Sequence, residues 1–160
     1  MPRYAADTSV SLEQSKSEIE RTLTRYGATR FFSSWQDDPP MAMIGFELEA
    51  RMVKITMPIP ARDAVEFTLT ETGRERKPNA IYKAWEQAQR QRWRALNLII
   101  KAKLEAVDCG ISSIEREFLA DIVMHDGTTL GEWAGPQISA MYDAGKMPPL
   151  LMAPKKGKRR

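Results

Sequence analysis

With 160 residues, 42% of them hydrophobic, the chain has the size of one domain and enough apolar material for a true core. Its single cysteine, Cys109, excludes an internal disulfide framework and a thiolate-rich metal site. No apolar run reaches the roughly 18 residues of a membrane span, and MPRYAADTSVSLEQ holds no apolar leader, so a cytoplasmic protein without membrane contact is expected.

The net charge of +3 is unevenly spread. Five cations sit in Lys155–Arg160, residues 61–110 carry +3, and residues 111–154 carry −4. Positive charge therefore gathers on a central segment and on the tail. This pattern divides the chain into an N-terminal arm (1–10), a single α+β domain (11–152) and a disordered basic tail (153–160).

Along the chain, Ser11 followed by Gln14 predicts a capped helix that ends at Tyr26-Gly27, with Leu12, Ser15, Ile19, Leu23 and Tyr26 facing inward. The period then changes to two. Arg30–Gln36 is aromatic-rich, Asp37-Asp38-Pro39-Pro40 is a turn, and Ala42, Ile44, Phe46 and Leu48 alternate, which predicts a hairpin. A tight turn at Glu49-Ala50 leads to a third strand carrying Val53, Ile55, Met57 and Ile59, stopped by Pro58 and Pro60. Val65, Phe67 and Leu69 alternate like a short fourth strand before the polar loop Thr72–Lys77.

A long helix is expected from Pro78 to Asp108, with Asn79 as N-cap and Gly110 as its stop. Ser112-Ser113 and Glu115 start a third helix to about Met124. Thr129 caps a short turn to Trp133, and a last helix begins after Gly135-Pro136 and runs to Ala144. The antiparallel meander needs a helix to cover its apolar face, and the long helix is the element expected to do so.

The long helix carries the main functional signal. Lys83, Arg90, Arg94 and Lys101 fall within about 40° of one another and form a basic stripe about 27 Å long, comparable to several phosphate spacings. Gln87 and Asn97 flank it as hydrogen-bonding groups. A solvated face, with Glu86 pairing Arg90 one turn on, is the alternative reading. The opposite face, Ile81, Ala84, Trp85, Ala88, Ala95, Leu96, Ile99 and Ala106, is apolar, yet Arg92 and Lys103 project from it. An unpaired buried charge costs several kcal/mol. These two cations are therefore expected to meet Glu117, Asp121 or Asp143, or else to line a groove. Trp93, Ile100 and Leu104 form a second apolar patch that suggests a helix sandwiched between the sheet and later helices.

Catalytic motifs are absent from the sequence. The lone His125 lacks partners for zinc, and there is no phosphate-binding glycine loop, nucleophile elbow or zincin helix. Asp37-Asp38, Glu47 and Glu49 are the carboxylates a metal nuclease would draw on, with Lys54 expected across the hairpin from Glu47, but cross-strand pairing explains them equally. The expectation is a non-enzyme with no catalytic residue, metal or cofactor. The tail cations Lys155, Lys156, Lys158, Arg159 and Arg160 add salt-dependent affinity for any polyanion.

The stretches SKSEIERTLTRYGATRF, AWEQAQRQRWRALNLIIKAKLEAVDCGI and DGTTLGEW, followed by GKMPPLL, resemble a family of small proteins from tailed phages, prophages and mobile elements. The resemblance spans about Ser9 to Leu151 and carries no motif with assigned chemistry. It implies a phage-type accessory protein in the host cell. The helix, three strands, helix order is also similar to double-stranded RNA-binding domains, but only Lys77 and Lys83 stand where those domains cluster lysines. The core is likewise similar to that of single-strand annealing proteins.

The expected function is nucleic-acid binding through backbone-directed contacts from Lys83, Arg90, Arg94, Lys101 and the tail, with single-stranded DNA in phage DNA metabolism as one substrate. Trp35 is available to stack a base, to enter the core or to make a dimer contact. The alternative is an oligomeric interaction module or host-factor inhibitor with a host or phage protein as partner.

Overall fold

The computed structural model describes residues 9–145. The expected tail and the first eight residues of the expected arm lie outside the described residues. The fold is α+β, with elements in the order α1 (Leu12–Arg25), β1 (Arg30–Asp37), β2 (Pro40–Leu48), β3 (Arg51–Pro58), α2 (Val65–Thr68), α3 (Pro78–Asp108), α4 (Ile114–Glu117), a 3₁₀ turn (Leu119–Asp121) and α5 (Leu130–Ala144). The three strands form one antiparallel sheet in the order β1-β2-β3.

Local chemistry explains most boundaries. Ser11 Oγ accepts the Gln14 N–H at 3.1 Å and opens α1. Glu49 and Ala50 both take positive φ (49° and 58°), the two-residue turn whose twist matches the strands it joins. Pro78 occupies the first turn of α3, where its missing N–H costs nothing, so Lys77 rather than Asn79 is the N-cap. At the other end, Gly110 N–H donates to Val107 O and Ile111 N–H to Ala106 O, with Gly110 at φ 70°. This paired closure satisfies carbonyls that the helix leaves open.

Three expected elements change. The fourth strand is instead the single turn α2, because the Phe67 and Thr68 N–H groups close back on Ala64 O, burying Phe67 and leaving Val65 exposed. The expected third helix stops after one turn. Past the 3₁₀ turn the chain goes extended, and Val123 N–H bonds Met52 O while Ile122 bridges Val53, so pairing with the sheet edge replaces helical bonds. The last two segments merge into one helix with Pro136 inside it; Thr129 and Glu132 form a reciprocal capping box, and Gln137 Nε2 reaches back to Trp133 O at 3.0 Å beside the proline.

The core lies between the sheet and the α1/α3 layer. Ile19 and Leu23 of α1, Ala42, Ile44, Phe46, Leu48 and Val53 of the sheet, and Trp93, Leu96, Ile100 and Leu104 of α3 are all buried. Ile114 and Phe118 complete it, with the Phe118 ring edge-on to Phe46 at 5.5 Å. The buried stripe of α3 is thus the expected side patch. The alanine-rich stripe is only partly covered, and Ile99 is exposed. Burying Trp93, Ile100 and Leu104 removes more apolar area from water than burying alanines, which sets the roll of the helix.

Candidate nucleic-acid interface

The basic stripe of α3 is not a uniform ridge. Lys83 and Lys101 are exposed. Arg90 is held on its own helix, its Nη1 3.0 Å from Glu86 and its Nε and Nη2 donating to Gln87 Oε1 at 3.0 and 2.6 Å. Arg94 turns toward α1 and pairs with Glu18 at 2.6 Å, and Asn97 Nδ2 donates to the same carboxylate oxygen at 2.6 Å. Asn97, expected as a flanking ligand group, is buried in the α1–α3 contact. The physical reason is that α1 packs against α3 at Arg94 and Asn97, which the periodicity of α3 alone cannot reveal. Lys155, Lys156, Lys158, Arg159 and Arg160 lie outside the described residues.

The two anomalous cations are both engaged inside the molecule. Lys103 Nζ donates to Glu117 O at 2.6 Å, lies 3.6 Å from Asp121 and sits over the Phe118 ring at 4.9 Å. Asp121 is thus the expected carboxylate partner, whereas Glu117 contributes its backbone carbonyl. Burial raises the Asp121 carboxyl above its ordinary value, with the Lys103 charge opposing. Arg92 Nη1 donates to Pro58 O, a backbone carbonyl rather than a carboxylate, and Arg92 lines a groove beside Glu66 and Phe67, the other expected outcome.

The outward face of the hairpin also differs from expectation. Glu47 pairs with Arg30 at 3.2 Å, and Lys54 reaches Glu132 at 3.3 Å and Gly127 O at 3.2 Å. Lys54 therefore ties α5 to the sheet rather than facing Glu47. The Thr129 N–H, followed by Lys54, holds the Glu132 carboxyl below its ordinary value. Among the described residues no three His, Cys, Asp or Glu side chains come together.

The structure assembles a site that no single stretch announces. A cleft of about 560 Å³ opens between the N-terminal half of α3, the start of α1, the end of β1 and the segment after β3. Trp85 and Trp93 line it, and Trp85 Nε1 is anchored to Pro60 O at 2.8 Å. Trp35, 69% exposed, borders it from β1. It shares the core-facing side of the sheet with Ala42 and Met57, its register partners. Two cations flank the aromatics: Lys16 Nζ stands 4.8 Å above the Trp93 ring, and the Arg62 guanidinium 5.1 Å from that of Tyr82. Gln36 and Gln89 add amide groups, and Asp37 is the one acidic wall residue.

An exposed indole beside cations can stack a base of an anionic polymer strand while its phosphates meet the charges; Trp35 is that indole, Trp93 being buried. The sequence left Trp35 open between stacking a base, the core and a dimer contact, and its exposure comes from the fold. Lys16 and Arg62 were not legible, since they lie far from it and from each other along the chain. Among the described residues no helix is long and apolar enough to cross a membrane. Comparisons with family models, curated proteins and solved structures give no match.

Proposed function

We propose that this protein binds single-stranded nucleic acid without catalysis, with the tryptophan cleft as the principal contact. The observation that carries the reading is Trp35: a large indole, 69% exposed, at the mouth of a cleft whose other tryptophans are fixed and whose rim holds Lys16 and Arg62. Trp35 stacks a base, and Lys16 and Arg62 neutralise neighbouring phosphates. Lys83, Lys101 and the basic tail supply further sequence-independent attraction, while Arg90 and Arg94 serve the fold more than the ligand. The resemblance to phage and mobile-element proteins supports a role in phage DNA metabolism.

The test is a titration of a single-stranded oligonucleotide and its duplex at several salt concentrations, read by tryptophan fluorescence and anisotropy. Trp35→Ala is expected to weaken single-strand binding by about 1–3 kcal/mol. Lys16→Ala with Arg62→Ala should reduce the salt slope by roughly 1.4, about 0.7 for each lost phosphate contact. Absence of binding at low salt, or an unchanged affinity for Trp35→Ala, refutes the proposal. A chain lacking Lys155–Arg160 separates the tail's contribution.

A further inference from the structure

The two outer edges of the sheet are treated differently. On the β3 side, Ile122 bridges Val53 and Val123 N–H bonds Met52 O, so part of that edge is occupied. Among the described residues no element bridges β1 on its outer side. Which of its groups are open follows from the register. Ile59 N–H bonds Pro40 O, and the Glu49-Ala50 turn closes on Leu48–Arg51, so the even-numbered residues of β2 bond to β3. Its odd-numbered residues bond to β1, through Arg30, Phe32, Ser34 and Gln36. The backbone N–H and C=O groups of Phe31, Ser33 and Trp35 therefore point outward.

Exposed strand edges are usually guarded by charge, proline or a bulge. Phe31–Gln36 has no charged residue and no proline. We propose that β1 pairs antiparallel with β1 of a second copy of this chain, centred on Ser33, joining the two sheets into one. A two-fold axis through Ser33 keeps the core-facing sides of both sheets together and matches the open groups, giving hydrogen-bonded pairs at Phe31–Trp35, Ser33–Ser33 and Trp35–Phe31.

The strand is complementary to itself in this register. Phe31 of one protomer faces Trp35 of its partner, an aromatic pair of the kind that stabilises sheets. On the other side Phe32, 44% exposed, faces the small Ser34. Arg30, which also pairs with Glu47, is set opposite Gln36 of the partner and Asp37 opposite Thr29, so no like charges meet across the seam. Centring on Ser34 instead would set Phe31 against Asp37. The pairing stands whether or not the cleft binds nucleic acid.

Sedimentation equilibrium without nucleic acid tests it. The wild-type chain is expected at twice its 18.2 kDa mass. Ser33→Pro removes an outward N–H and spares the β1–β2 ladder, so it is expected to fold as wild type by circular dichroism and to sediment at half the wild-type mass. Should that variant not fold, Ser33→Cys, made with Cys109→Ser, is expected to form a disulfide-linked dimer on mild oxidation faster than Ser34→Cys in the same background. A hydrogen-bonded pair sets Cα atoms about 5.5 Å apart, within disulfide reach. A monomeric wild type, a folded but still dimeric Ser33→Pro, or equal crosslinking at the two positions overturns the proposal. So does a β1 whose outward amides gain hydrogen-exchange protection only when an oligonucleotide or another protein is added.

Discussion

Glu18→Ala is expected to destabilise the fold by about 2–3 kcal/mol, more than either of its partners suggests alone. The Glu18 carboxylate accepts from Arg94 Nη1 and Asn97 Nδ2, both at 2.6 Å, and so pins α1 to α3. The two losses differ in kind. Arg94 is 29% exposed at its side chain, so water recovers much of the ion pair, which is worth about 1 kcal/mol or less. Asn97 is 4% exposed, and its Oδ1 has no partner among the described residues.

Removing the carboxylate thus strands a whole buried amide, at a cost of about 1–3 kcal/mol. For a chain of this size the Tm should fall by about 4–12 °C. Urea and thermal unfolding of Glu18→Ala, Arg94→Ala and the double variant measure it. Arg94→Ala alone is expected to cost about 1 kcal/mol or less, since Asn97 keeps its acceptor, and Asn97→Leu placed on Glu18→Ala should recover part of the loss. A Glu18→Ala protein within about 0.5 kcal/mol of wild type, or an Arg94→Ala protein equally impaired, refutes this reasoning.

Two further predictions rest on local geometry. Ala50→Gly is expected to stabilise the protein by about 1 kcal/mol in urea unfolding, because φ 58° is strained for alanine and free for glycine. Glu132→Gln tests the acid side of the stability profile. The folded-state pKa of Glu132 is lowered, so its contribution is present above the ordinary 4.5 and is lost as the pH falls through the folded value. Tm measured against pH should decline less steeply in acid for the glutamine variant, and an unchanged slope would contradict the capping-box assignment.

Periodicity and punctuation made much of the architecture legible in the sequence. The span of α3, the Ser11 and Thr129 caps, the Glu49-Ala50 turn and the meander follow from interactions within a few residues, which a single chain segment contains. Lys103 was also readable, since a cation on an apolar face demands a partner and the acidic C-terminal third supplied Asp121. The short elements were not legible. Val65–Leu69 and Ile122-Val123 have patterns compatible with either helix or strand, and pairing with β3, distant in sequence, decided the second of them.

What only the tertiary structure decided is which chemistry faces outward. The angular spacing of Lys83, Arg90, Arg94 and Lys101 is a property of the helix alone. Whether Arg94 is open depends on Glu18, a residue of α1. The cleft of Trp35, Trp85 and Trp93 with Lys16 and Arg62 arises in the same way, from segments brought together by burial of the core. Local sequence thus determines the longer elements, because capping, turn strain and amphipathic period act over a few residues. The partner of each charge and the open edge of β1 are set by packing, because those relations join residues far apart in the chain.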